Sequence, residues 1–340
     1  MAGPLLVDGY GRGVTDVRVS LTNRCNFACV YCHNEGLGDT LGPRDPSPDE
    51  MTADEVVRLL TIAREFGIVN VKLTGGEPML RRDLESIVAR VATFMEVSLT
   101  TNGTLLASRA RALADAGLAR VNVSLDTLDP DHFRRLRRGS IEPVLDGLEA
   151  ALAAGLAPVK VNAVVMDDTL DALPSLLDFV ASRDGLELQL IELMPEIRHD
   201  LAGARADMAK VKAWLAGRAD RVEVRAMHHR RIYRVGHAKV EVVDPVGNAE
   251  FCAHCSRIRI THDGRLKGCL NRLDDTVPTR GLDDEGVRAA YRSVVRDRVP
   301  YYVADARSGR AFAPAAGASA LYKALRRPSA TSPESPLAPP

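Results

Sequence analysis

Residues 17–36 read VRVSLTNRCNFACVYCHNEG, a β-branched run that opens into a loop carrying Cys25, Cys29 and Cys32 at C-x3-C-x2-C spacing. Thiolates select soft metals and iron-sulfur clusters. Zinc ordinarily takes four protein ligands in a closed site, or three including histidine with one open position. Three thiolates on one short loop instead suit a 4Fe-4S cluster in which one iron lacks a protein ligand, so that an external molecule can bind there. His33, beside Cys32, is a candidate fourth ligand, against the ordinary reading of a solvated loop histidine.

Outward from this loop, short β-branched runs alternate with stretches of helical periodicity, the pattern of βα units around a parallel sheet. The candidate strands are 17–22, 69–74, 96–101, 120–125, 159–165 and 186–193. Between the first two lies TADEVVRLLTIAREFG, where Thr52 and Glu55 have the form of a capping box. Six such units fall short of the eight in a closed barrel, so the fold class is α/β, a partial, open-sided (β/α)6 TIM-like barrel over residues 1–200. Beyond Met194 the pattern changes to a helix around Trp214 and short strands near VEVRAM, RIYRV and KVEVV. This reads as a C-terminal α+β layer, 201–326, containing a second group of cysteines. Residues 327–340 are rich in proline and serine and are expected to be disordered.

The composition, 340 residues of which 46% are hydrophobic, can bury a sizeable core. Lys plus Arg equals Asp plus Glu, 45 against 45, so no global field draws the chain to nucleic acid or an anionic membrane. Any phosphate must be met locally. The N-terminus lacks an apolar signal region and no membrane-length apolar run follows, so a cytoplasmic location is expected. Cytosolic thiols stay reduced, which turns clustered cysteines toward metal or catalysis.

All six cysteines fall into two triplets, the second being Cys252, Cys255 and Cys269 in FCAHCSRIRITHDGRLKGCL at 251–270. A zinc site completed by His254 or His262 is one reading, and a second 4Fe-4S cluster with an open iron fits better. Arg257 and Arg259 alternate in a strand-like setting that points both guanidiniums to one face. They suit a phosphate-bearing substrate; from spacing alone a solvent-facing pair fits as well.

The first triplet, with Tyr31 before its last cysteine, resembles the signature of the radical S-adenosylmethionine (SAM) superfamily, and LTGGEPML at 73–80 resembles that family's glycine motif. Glycines at 75 and 76 let backbone approach a ligand, and the Glu77 carboxylate can accept from its ammonium group. Together with TTNG at 100–103, NVSLD at 122–126 and the second triplet, the chain is similar over nearly all of 8–300 to the GTP 3′,8-cyclase family of molybdenum cofactor biosynthesis (MoaA). LQLIELMP, MHHRRIYR and AKVEVVDP are closest to its archaeal-type branch.

That resemblance implies two 4Fe-4S clusters, on Cys25, Cys29 and Cys32 with SAM and on Cys252, Cys255 and Cys269 with substrate. It implies SAM contacts at Tyr31, Gly76, Ser124 and Met194, and GTP contacts at Arg18, Lys72, Thr100, Lys160, Arg257 and Arg259. Lys72 and Gln189 stand where many bacterial relatives carry arginine. The implied reaction begins with hydrogen abstraction from C3′ of GTP by a 5′-deoxyadenosyl radical and closes a bond to C8 of guanine. The implied partners are GTP, a reductase as electron donor and, by pathway, a downstream cyclic pyranopterin monophosphate synthase, with no nucleic acid or membrane; a homodimer is a candidate assembly.

Overall fold

The computed structural model describes residues 4–36, 49–194, 199–272 and 274–304. The expected tail at 327–340 lies outside them. Six strands follow the anticipated order, β1 (Asp16–Ser20), β2 (Asn70–Thr74), β3 (Glu96–Thr101), β4 (Arg120–Ser124), β5 (Val159–Val165) and β6 (Leu186–Glu192), each pairing in parallel with the next. The helices that carry the chain between them include α1 (Ala53–Glu65), whose capping box is present: the Thr52 side chain accepts from the Glu55 amide and Glu55 accepts from the Thr52 amide.

The strands alternate in a way that explains the architecture. Val17, Val19, Val71, Leu73, Val97, Leu99, Val121, Val123, Val159 and Val161 are buried in the core, whereas Arg18, Lys72, Thr100, Asn122, Lys160 and Gln189 occupy the opposite phase. A parallel sheet covered by helices on both faces would be apolar on both. Here one face is polar, so the sheet curls around a hydrophilic interior.

The expected C-terminal α+β portion is present, and its strands continue the same sheet at both edges. Strand β9 (Ala238–Val243) adds in parallel to β6, and outside it lie β8 (Arg231–Val235) and β7 (Arg221–Val224). At the other edge β10 (Arg257–Ile260) adds in parallel to β1, followed by β11 (Arg265–Lys267) and β12 (Thr276–Pro278). The result is one sheet of 12 strands. The added strands satisfy backbone groups that β1 and β6 would otherwise expose as edges. They also carry the second cysteine triplet around to the mouth of the barrel. After β12, helix α9 (Asp284–Arg296) docks on α1 through the buried Tyr291, whose hydroxyl donates to the Leu59 carbonyl at 3.0 Å. No helix among the described residues is long and apolar enough to cross a membrane.

Candidate active site

The polar interior opens into a cavity of about 360 Å³ whose wall includes all six cysteines. The first triplet is held there by backbone. The amide of Leu21 donates to the Thr74 carbonyl, Gly76 to Thr22 and Glu77 to Arg24, so the residues before Cys25 lie against the GGEP segment like a strand. This close approach requires both glycines. A β-carbon on Gly75, whose φ is +148°, would meet the Thr22 carbonyl oxygen at 2.5 Å, and one on Gly76 would meet that of Arg24 at 2.0 Å.

Glu77 corrects one expectation. Its carboxylate is fully buried and accepts from the Met79 amide, the Thr101 hydroxyl and the Asn102 amide at 2.7–3.0 Å. It ties the glycine motif to the end of β3 instead of facing a ligand. Burial pushes its pKa up to about 6 against those donors.

Around the cysteine loop, Tyr31 donates to Asp126 at 2.5 Å, and Arg137 pairs with the same carboxylate at 2.8 Å while its guanidinium stands 5.6 Å from the Tyr31 ring. Asn102 points its amide at the Cys25 sulfur, 3.9 Å away, and Arg137 reaches to 4.0 Å from that of Cys29. Burial pushes the Cys25 thiol up to about 11 and the Cys29 thiol up to about 12. Thiols so desolvated become thiolates when a metal center supplies the compensating charge.

The second triplet sits on the short helix α8 (Ala249–Ala253), which carries Cys252, on the loop after it, and on the turn after β11. A buried cluster secures it: Asp8 binds Arg12 at 2.7 Å and Arg298 at 3.0 Å, and these arginines donate to the carbonyls of Cys252 and Cys255 respectively. Burial pushes Cys269 up to about 11.

Among the described residues, no three His, Cys, Asp or Glu side chains converge as a single metal ion would require. Neither His254 nor His262, the candidate zinc ligands, lines the cavity; His254 instead stacks on His229 at 3.3 Å. Two sets of three thiols lining one cavity, with neither candidate zinc histidine of the second set beside them, suit iron-sulfur clusters better than zinc. His33, the candidate fourth ligand beside Cys32, lines the cavity and is half-buried, with desolvation lowering its pKa.

Between the triplets lies a cationic band. Arg18 and Arg259, paired in register across β1 and β10, both approach Glu35, at 3.4 and 3.7 Å. Burial would raise the Glu35 pKa, yet Arg18 and Arg259 hold it down to about 2. Arg257 makes no ion pair among the described residues; burial, then Arg18, Arg259 and Arg230, push its pKa down to about 9. Thr100, Gln189, Ser124, Tyr31, Gly76 and Met194 also line this cavity, and the Thr100 hydroxyl is buried without a partner among the described residues.

Lys72 and Lys160 do not reach the wall. Lys72 donates to Asn122 at 2.8 Å, and Lys160 binds Glu241 at 2.6 Å. Glu35, Asn102, Asp126, Arg137, Arg12 and Arg298 were missed as site residues. Glu35, Asn102 and Asp126 stood inside the motifs already marked; the arginines carried no local signal.

Two family descriptions match the chain, the Radical SAM superfamily over residues 19–180 and Molybdenum Cofactor Synthesis C over 186–302. A probable GTP 3′,8-cyclase of Halobacterium salinarum is 54% identical over 325 residues, covering 88% of this chain and 90% of that one. Another, of Methanocella arvoryzae, is 43% identical over 301 residues, covering 88% and 95%. Among solved structures, Streptococcus suis SuiB bound to S-adenosylmethionine superimposes with a TM-score of 0.59 at 16% identity, over 76% of this chain and 61% of that one. Native anSMEcpe with bound AdoMet superimposes with a TM-score of 0.52 at 15% identity, over 82% of each chain. At such identities the likeness is one of fold.

Proposed function

The chain belongs to the GTP 3′,8-cyclase family of radical SAM enzymes, and from that premise we infer that it converts GTP to 3′,8-cyclo-7,8-dihydroguanosine 5′-triphosphate, the first step of molybdenum cofactor biosynthesis. The observation that carries this reading is the single cavity shared by both cysteine triplets, with Arg18, Arg257 and Arg259 on its wall.

Cys25, Cys29 and Cys32 would hold a 4Fe-4S cluster, which with SAM would supply the reductive, hydrogen-abstracting chemistry of the family. In our reading Tyr31, Gly76, Ser124 and Met194 line the SAM end. Cys252, Cys255 and Cys269 would hold a second 4Fe-4S cluster, toward the guanine end. Arg18, Arg257 and Arg259 bind the triphosphate, for which planar guanidiniums in a desolvated pocket are suited, and the unpartnered Thr100 hydroxyl is available to the same substrate. Lys72 and Lys160, held by Asn122 and Glu241, act at one remove from the substrate. The chain's own contribution is to fix the ribose relative to the SAM end while excluding water, since a radical must meet one hydrogen and no other. An external reductase supplies electrons, and the product passes to a cyclic pyranopterin monophosphate synthase.

The test is anaerobic reconstitution followed by incubation with SAM, GTP and a chemical reductant. Formation of deoxyadenosine together with the cyclised nucleotide is expected. Deoxyadenosine with no cyclised product would instead assign the chain to a paralogue acting on another nucleotide.

A further inference from the structure

The MHHRRIYR stretch opens at Met227. Met227–His229 form a short helical turn just before β8, and this turn is strained: His228 and His229 both adopt left-handed backbone, with φ of 64° and 47°. Non-glycine residues rarely sit there, and such outliers concentrate at functional sites. The turn is anchored by the His228 amide, which donates to the His254 carbonyl at 2.9 Å. Its effect is to lay the His228 ring flat on Phe251, with centroids 4.0 Å apart and planes 7° from parallel.

His228 is 6% exposed, lines the cavity, and its Nδ1 is buried without a hydrogen-bond partner among the described residues. A buried polar atom left unpaired costs free energy unless a ligand satisfies it. Two residues on, Arg230 also lines the cavity. It lies 3.3 Å from Glu241, whose carboxylate is shared with Lys160 and Arg225. Met227 places its sulfur 3.3 Å from Arg257 and 3.7 Å from Arg230, so both guanidiniums meet at this turn. Four cavity guanidiniums, Arg18, Arg230, Arg257 and Arg259, thus have only Glu35 and Glu241 as ion-pair partners among the described residues. The local surplus of positive charge extends to the turn.

We propose that His228 and Arg230 are substrate-positioning residues that bind the triphosphate of the nucleotide, His228 by donating from Nδ1 and Arg230 by its guanidinium. This rests on the reading of the cavity as a GTP site and extends it to a second wall. The Phe251 stack fixes the imidazole plane, and the left-handed turn aims it.

The test uses reconstituted wild-type holoenzyme, His228→Phe and Arg230→Lys, with equilibrium dialysis against GTP, guanosine and inorganic tripolyphosphate. His228→Phe keeps the aromatic stack and deletes the nitrogen; Arg230→Lys keeps the charge beside Glu241 and deletes the fork. Each is expected to weaken GTP and tripolyphosphate by about tenfold, the scale of one hydrogen bond to a charged group, and to leave guanosine unchanged. Wild-type affinity for GTP in both variants would overturn this assignment alone, as would equal losses for guanosine and GTP. A wild-type holoenzyme that binds GTP no better than guanosine would overturn the reading of the cavity, and this assignment with it.

Discussion

Gly76 and Arg24 lie so close that a β-carbon on the glycine would stand 2.0 Å from the arginine's carbonyl oxygen. Arg24 is the residue before Cys25, so the glycine motif sets where the first cysteine loop can run.

Gly76→Ala is therefore expected to displace the loop while leaving the barrel folded. SAM cleavage should fall by roughly 100-fold, a loss typical of small misplacements of reacting groups. Deoxyadenosine formation, set beside the thermal melting curve, checks both halves of this statement.

The two triplets should separate functionally. Cys25→Ala is expected to abolish SAM cleavage, and Cys269→Ala to leave uncoupled cleavage while losing cyclised nucleotide. Iron content and product analysis of anaerobically purified variants check this; retained cleavage in Cys25→Ala would refute the assignment of the first cluster.

Arg257 is half-buried, without an ion pair among the described residues, and held to a pKa of about 9. Removing it with Arg257→Ala relieves repulsion among the cavity arginines and deletes a triphosphate contact. The Michaelis constant for GTP should rise by roughly 10- to 100-fold, the scale of a charge-assisted contact of about 1.5–3 kcal/mol, while deoxyadenosine continues to form. Steady-state kinetics over a range of GTP concentrations would show it.

Glu241 makes the acid limb of stability testable. Burial would raise its pKa, but Arg230, Lys160 and Arg225 together hold it at about 2, below the ordinary 4.5. The folded state thus binds this proton more weakly than the unfolded state does. Its contribution is fully present above pH 4.5 and is lost as pH falls from there toward 2. Glu241→Gln leaves Lys160 and Arg230 without their shared carboxylate. It is expected to cost on the order of 3 kcal/mol at neutral pH and to flatten the acid limb. Urea denaturation at several pH values measures both.

Much of this was legible in the chain because it is local. Six β-branched runs became six parallel strands within a residue or two of their expected bounds, and Thr52 with Glu55 formed its capping box, since such features depend on neighbours a few positions away. Cysteine spacing likewise marked both triplets. Glu77 was misjudged because a carboxylate beside two glycines reads as a ligand, and only β3 shows that Thr101 and Asn102 consume it. Arg12 and Arg298 could not be found, as their common partner Asp8 is 290 positions from Arg298.

The order of residues by itself determined the chemistry available: which thiols occur in threes, which glycines permit close backbone approach, and which strands carry polar side chains on one phase. Tertiary structure alone decided that β9 and β10 extend opposite edges of one sheet, bringing Cys252, Cys255 and Cys269 to the cavity of Cys25, Cys29 and Cys32. It also decided that Arg257 reaches this wall and that Lys160 is held away by Glu241. Strand pairing across more than 200 positions is set by complementary edges and buried charge balance, and neither is written in any short stretch of the chain.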